Sequence, residues 1–173
     1  GALATLRQPA VLASLVQLAR DSPSVRLQRS LMRVLAACVD EQQCPVSVAT
    51  FVEEGGVEVA VGLLPFNRDA VERMNALPPA EGEIPVGNTT RCLLHSVGGN
   101  GDKSDEAVAT ALRAGAIPAL LAILRFAAVK SAAVRKNAAI ALAKLSRDKA
   151  AMEEIRARDG MQLLLEVGRA VMQ

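Results

Sequence analysis

Residues 113–146 read RAGAIPALLAILRFAAVKSAAVRKNAAIALAKLS, and this stretch decides the fold class. An Ala-Gly-Ala-Ile-Pro opening leads into an apolar helix, a short break, and a longer Ala-rich helix. In the second helix Val134, Ala138, Ala141, Leu142 and Leu145 fall at i, i+4, i+7, i+8 and i+11. Residues at that spacing share one face of a 3.6-residue helix. The same stripe recurs at Leu27, Leu31, Val34, Leu35 and Cys38, and again at Val86, Thr90, Leu93, Leu94 and Val97.

Composition agrees with a helical reading. Apolar residues make up 51% of the 173, yet aromatics only 2%: Phe51, Phe66 and Phe126, with no Trp or Tyr. β-branched and aromatic blocks alternating at period two are missing, which argues against a sheet. The expected class is all-α, and the chain is long enough for one domain with a sizeable core. A net charge of +2 offers no strong field for nucleic acid or an anionic membrane. No apolar run reaches the roughly 18 residues of a membrane span. Three cysteines, Cys38, Cys44 and Cys92, form an odd set without metal-ligand spacing. They read as reduced thiols, two of them in or near the core, in a cytosolic type of compartment. The chain starts at Gly1 rather than Met and is expected to be a piece of a longer protein.

Punctuation divides the remaining chain. Pro9 suits the first turn of a helix, and Asp21-Ser22-Pro23 reads as a stop and restart in which Ser22 caps a helix with Pro23 at its first position. Gly55, Gly115 and Gly160 separate short helices from the apolar ones that follow. The distances from Leu27 to Gly55, Val86 to Gly115 and Val134 to Gly160 are 28, 29 and 26 residues. Between Gly55 and Val86 the chain is longer than between Gly115 and Val134. The excess falls in 66–85, which carries Pro78, Pro79, Gly82 and Pro85 and reads as an inserted loop, inside which 68–77 could form one helical turn or two. Without it the period is in the mid-forties, the range of three-helix repeats.

These residues resemble the armadillo repeat. The resemblance is carried by Gly115-Ala-Ile-Pro-x-Leu-Leu and by Val134-Arg-x-x-Ala-Ala-x-Ala-Leu-x-x-Leu. It extends to VEEGGVEVAVGLL at 52–64, IRARDGMQLLLEVG at 155–168, and residues 10–39. The resemblance implies an armadillo-like solenoid, a right-handed α-α superhelix spanning 1–173 as a single domain. Two complete repeats would be flanked by partial ones, whose cut apolar ends need more chain or a partner. It also implies a concave face lined by the third helix of each repeat: Ser30, Arg33 and Ala37; Thr89, Cys92 and Ser96; Asn137, Ile140 and Lys144. The family's peptide-binding members place Asn ten residues after the Val of Val-Arg, where this chain has Ala37, Ser96 and Lys144. The Trp often found four residues earlier is replaced by Arg33, Cys92 and Ile140. An importin-α-like or β-catenin-like peptide ladder is therefore not expected.

No catalytic, cofactor or metal site is expected. His95, the only histidine, has no carboxylate or thiol at ligand spacing, and Cys38 is a stripe residue. Cys44 sits in a loop with nothing in sequence to activate it. GGNGDKS at 98–104 lacks the spacing and the preceding strand of a phosphate loop; it reads as a turn, with Asp102 or Ser104 capping the next helix. Arg26, Arg29 and Arg33 form a basic helix edge, either a solvated face or a site for an acidic partner. The 66–85 loop is either a tolerated disordered insertion or an element that folds on contact. The expected function is a non-catalytic protein–protein interaction module, a scaffold or adaptor. Its partners would be proteins, including extended or acidic segments, and neighbouring repeats of a parent chain, in a cytoplasmic, cytoskeletal or ciliary setting. The alternatives are the substrate-binding part of a larger enzyme such as a ubiquitin ligase, or a nucleic-acid-binding helical repeat. A membrane partner is not expected.

Overall fold

The computed structural model describes residues 1–40, 42–98, 102–128 and 131–171, with side chains throughout except at 102–103 and 167–171. The described residues form helices joined by turns, and no strand; Asp40 and Cys44 make one isolated bridge. In chain order the helices are α1 (Ala2–Leu6), α2 (Pro9–Asp21), α3 (Val25–Cys38), α4 (Pro45–Glu53), α5 (Gly56–Gly62) and α6 (Arg68–Ala76). They continue with α7 (Glu83–Ser96), α8 (Asp102–Arg113), α9 (Ala116–Phe126), α10 (Ala132–Leu145), α11 (Lys149–Ala157) and α12 (Gly160–Val171).

Helix ends follow local chemistry. Pro opens α2 and α4, where its missing N–H would have been unpaired anyway. Asp148 Oδ1 accepts from the Ala151 N–H at 2.9 Å and starts α11. α3 begins two residues later than Ser22 predicts. Ser22, preceding Pro23, is held extended, and so is Ser24, whose Oγ accepts from the Leu27 N–H at 3.3 Å. Ser104 lies inside α8 and does not cap it, while 99–101 of the Gly-rich turn fall outside the described residues.

α7 packs against both α3 and α10, while α2 supports α3, and α9 supports α10. The three stripes supply this core: Leu35, Cys38, Leu93, Val97, Leu142 and Leu145 are all buried. Each fully buried Leu contributes about 1.5–3 kcal/mol. Leu27 departs from its stripe, being 40% exposed on the first turn of α3, and Val34 is only half-buried. Thr90, in a stripe position, is fully buried; its hydroxyl lies 3.0 Å from both the Val86 and the Gly87 carbonyl, which satisfies it within its own helix.

One expectation is corrected: the inserted segment is structured. Asn67 Oδ1 accepts from the Ala70 N–H at 2.9 Å and caps α6, and Val71 and Met74 bury its inner face. α6 packs on α9, and Asn75 ties the two together: its Nδ2 donates to the Phe126 carbonyl at 2.9 Å and its Oδ1 accepts from the Ala128 N–H at 3.1 Å. The Pro-rich part, 77–82, is a turn folded back on α6. A Cβ at Gly82 would sit 2.3 Å from the Met74 carbonyl oxygen, so only glycine fits there. The three glycines separate helices as expected, and the left-handed residue ahead of each apolar helix is Gly55 (φ 83°), Gly115 (φ 84°) and then Asp159 (φ 54°), one residue before Gly160. Gly160 itself opens α12, and a Cβ there would stand 2.8 Å from Leu121 Cδ2.

Candidate interaction surface

The nine residues expected to line one face do not share an environment. On α3, Ser30, Arg33 and Ala37 are exposed. On α7, Thr89, Cys92 and Ser96 are buried, with relative exposures of 1%, 0% and 1%, and line no open surface. On α10, Asn137, Ile140 and Lys144 are half-buried. Helix packing explains the split, because this register position is turned toward the preceding helix of the stack. Cys92 Sγ approaches the Met32 carbonyl of α3 at 3.9 Å. Asn137 Nδ2 donates to the Gly87 carbonyl of α7 at 3.3 Å, and Lys144 Nζ donates to the Leu94 carbonyl of α7 at 3.0 Å. The hydroxyls of Thr89 and Ser96 donate to carbonyls one turn back, Pro85 and Cys92, each at 2.9 Å. Complete burial pushes the Cys92 thiol well up, and burial also raises Cys38, opposed by the nearby Arg7 guanidinium.

The open side of α7 is carried instead by Ile84, Asn88, Arg91 and His95, at i, i+4, i+7 and i+11. Sequence reasoning passed over the first three, although their spacing marks a helix face as clearly as the apolar stripe does. The fold also gives His95 and Arg91 a carboxylate that is remote in sequence. Asp40 is held below the usual carboxylate range, chiefly by the Gln43 backbone N–H, with the Gln42 N–H, His95 and Arg91 adding to it. Its Oδ1 accepts those two N–H groups at 3.1 and 3.0 Å, so Asp40 closes the turn after α3. Cys44 is half-buried with its sulfur 2.9 Å from Ser47 Oγ. Among the described residues no group of three His, Cys, Asp or Glu side chains is placed to hold a metal ion.

The basic edge borders a groove. Arg26, Arg29 and Arg33 face the 77–82 turn and the start of α7 across a depression of about 800 Å³. A second depression, about 620 Å³, continues it between α3, the end of α5, and α6. Val25, Arg29, Leu77 and Glu81 line both. A smaller pocket of about 280 Å³ lies between α7 and α10 beside Arg91 and Asn137. At its rim Ser131 Oγ donates to Glu83 Oε2 at 2.6 Å, joining the starts of the two helices.

No protein-family model, curated protein or solved structure matches the chain. Its surface must therefore be read from its own chemistry. No single helix among the described residues is long and apolar enough to cross a membrane. The bent pair 104–113 and 116–126 passes that test together, but α9 carries a nearly continuous run of buried residues from Ala116 to Leu124.

Proposed function

We propose that the chain is an armadillo-like solenoid segment acting as a non-catalytic protein-interaction module, a scaffold or adaptor. The observation that carries this reading is the stacking of α3, α7 and α10. Helices with equivalent stripes lie side by side and bury most of their stripe positions, Leu27 and Val34 of α3 excepted, while Arg33 on α3 and Arg91 on α7 stay exposed. Repetition of that kind produces a large preformed surface, and preformed surfaces lose little entropy on binding. The proposed setting is cytoplasmic, which suits three free cysteines of which two are buried.

Site-specific photocrosslinking tests the proposal. A crosslinker is placed at Arg33 or Arg91 on the open side, and at Glu153 or Lys149 on exposed α11 positions as controls. The expected result is one set of protein adducts common to Arg33 and Arg91 and missing from both α11 positions. Adducts that form equally from all four positions, or only from α11, refute an interaction face on α3 and α7.

A further inference from the structure

We infer that the insertion after α5 builds one wall of a docking groove whose occupant is an acidic protein segment carrying large apolar side chains. This rests on the proposed interaction role and narrows it to a place and a class of partner.

Three observations point to that occupant. The first is unspent positive charge. Among the described residues no hydrogen bond or ion pair reaches the guanidinium of Arg26, Arg29, Arg33 or Arg73, and all four line the groove. The carboxylates facing them are Glu58 and Glu81, and Glu58 lies within electrostatic reach of Arg20. Arginine's planar fork favours carboxylate over other acceptors when partners are available. The second is apolar surface between the charges. Val25 is 51% exposed, Ile84 49%, Leu77 40% and, at the far end, Phe66 69%. Large apolar side chains grouped around a concave, charged rim mark interaction sites. A nucleic acid fits this lining poorly, because Phe66 is the one aromatic in it and base stacking needs more. The third is rigidity. The wall is held by buried Val71 and Met74, by the two Asn75 hydrogen bonds to α9, and by the Gly82 backbone contact. A wall already folded costs little to order when a segment docks.

The probe is a short fluorescent peptide in which Glu alternates with Leu and Phe. Two controls replace Glu by Lys, or Leu and Phe by Ser. Anisotropy titrations should show binding of the first peptide alone, weakening as salt is raised. Arg29→Glu with Arg33→Glu should weaken it at least about tenfold, as should Ile84→Ser, while Lys136→Glu on exposed α10 leaves it unchanged. Among the described residues nothing bonds to either arginine, so circular dichroism and unfolding midpoints of the double variant should match the parent. Retained affinity in the arginine variant, or equal loss in Lys136→Glu, overturns the groove. If the Arg33 and Arg91 crosslinks persist in that case, the interaction face stands without it. An arginine-dependent dimer, or tighter binding of single-stranded RNA than of the acidic peptide, also overturns the inference by naming a different occupant.

Discussion

Asn75→Ala should detach the insertion from α9 without unfolding the rest of the chain. In the native state the Asn75 amide pairs with the two backbone groups that follow the end of α9: Nδ2 with the Phe126 carbonyl at 2.9 Å, Oδ1 with the Ala128 N–H at 3.1 Å. Each such bond is worth about 0.5–1.5 kcal/mol net, so losing both costs about 1–3 kcal/mol. In a domain of this size a loss near 2 kcal/mol lowers Tm by about 4–8 °C. Urea unfolding supplies the free energy, and amide hydrogen exchange supplies the location: α6 amides should lose protection while those of α3, α7 and α10 keep theirs. Asn75→Asp should do no better than alanine, since it keeps an acceptor for Ala128 but sets a carboxylate oxygen against the Phe126 carbonyl. A midpoint shift below about 0.5 kcal/mol with α6 protection intact would refute the reasoning. The insertion would then be held by Val71, Met74 and the Arg68 guanidinium, 6.0 Å from the Phe126 ring centroid, without help from Asn75.

Asp159→Gly should stabilise the chain by a few tenths to about 1 kcal/mol, because Asp159 sits at φ 54° where Gly55 and Gly115 occupy the matching turns. Gly115→Ala should cost about 1–2 kcal/mol although a Cβ there meets nothing closer than Pro118 Cγ at 3.9 Å; its cost is backbone strain alone. Urea midpoints of both variants decide this, and a destabilised Asp159→Gly would contradict it. Stability should also fall on the alkaline side. The Cys92 thiol is raised above its ordinary value of 9.0 by complete burial. The folded state therefore keeps a proton that the unfolded chain releases. This contribution is intact below about pH 9 and is lost above it, at up to about 1.4 kcal/mol per pH unit for each such thiol. Unfolding free energies measured from neutral to alkaline pH should be flatter above pH 9 in Cys92→Ala than in the parent, even though that variant starts less stable.

The apolar stripes were legible in the sequence because helical periodicity is a local signal that tertiary packing here obeys. Leu27 is the exception, 40% exposed although the equivalent Val86 and Val134 are buried. α6 was only half legible: Val71 and Met74 are its two apolar anchors, and the dense Pro, Gly and Glu signals of 78–85 masked it as loop. The left-handed turn before α12 falls on Asp159, not on a glycine, and spacing of the glycines could not show it. Sequence reasoning looks for glycine, whereas Asp tolerates that conformation, and the Arg125 guanidinium steadies the turn by donating to the Arg158 carbonyl. The basic edge of the groove was readable as a charge cluster on one helix. Its opposite wall was not, because nothing in the spacing of Arg73, Leu77 or Glu81 says that the turn folds back toward α3.

The nine residues of the expected face show why register alone cannot assign a surface. Arg33, Cys92 and Ile140 are equivalent by sequence, yet their environments run from exposed through fully buried to half-buried. Each residue type suits its place. A guanidinium at position 92 would be buried against the Met32 carbonyl, at a desolvation penalty of several kcal/mol that one carbonyl cannot offset. At position 33 the neighbour on that flank is the end of α1, whose Arg7 Nη2 donates to the Ala37 carbonyl at 3.3 Å, and the arginine stays in solvent. On α10 the same flank is half covered, and it is filled by the aliphatic Ile140 between two residues, Asn137 and Lys144, whose polar ends reach carbonyls of α7. A fully exposed charge therefore occurs on this register only in α3, at Arg33, whereas the Lys144 ammonium of α10 is half-buried against α7. Arg33 thus joins Arg26 and Arg29 on the side where the insertion builds the opposite wall.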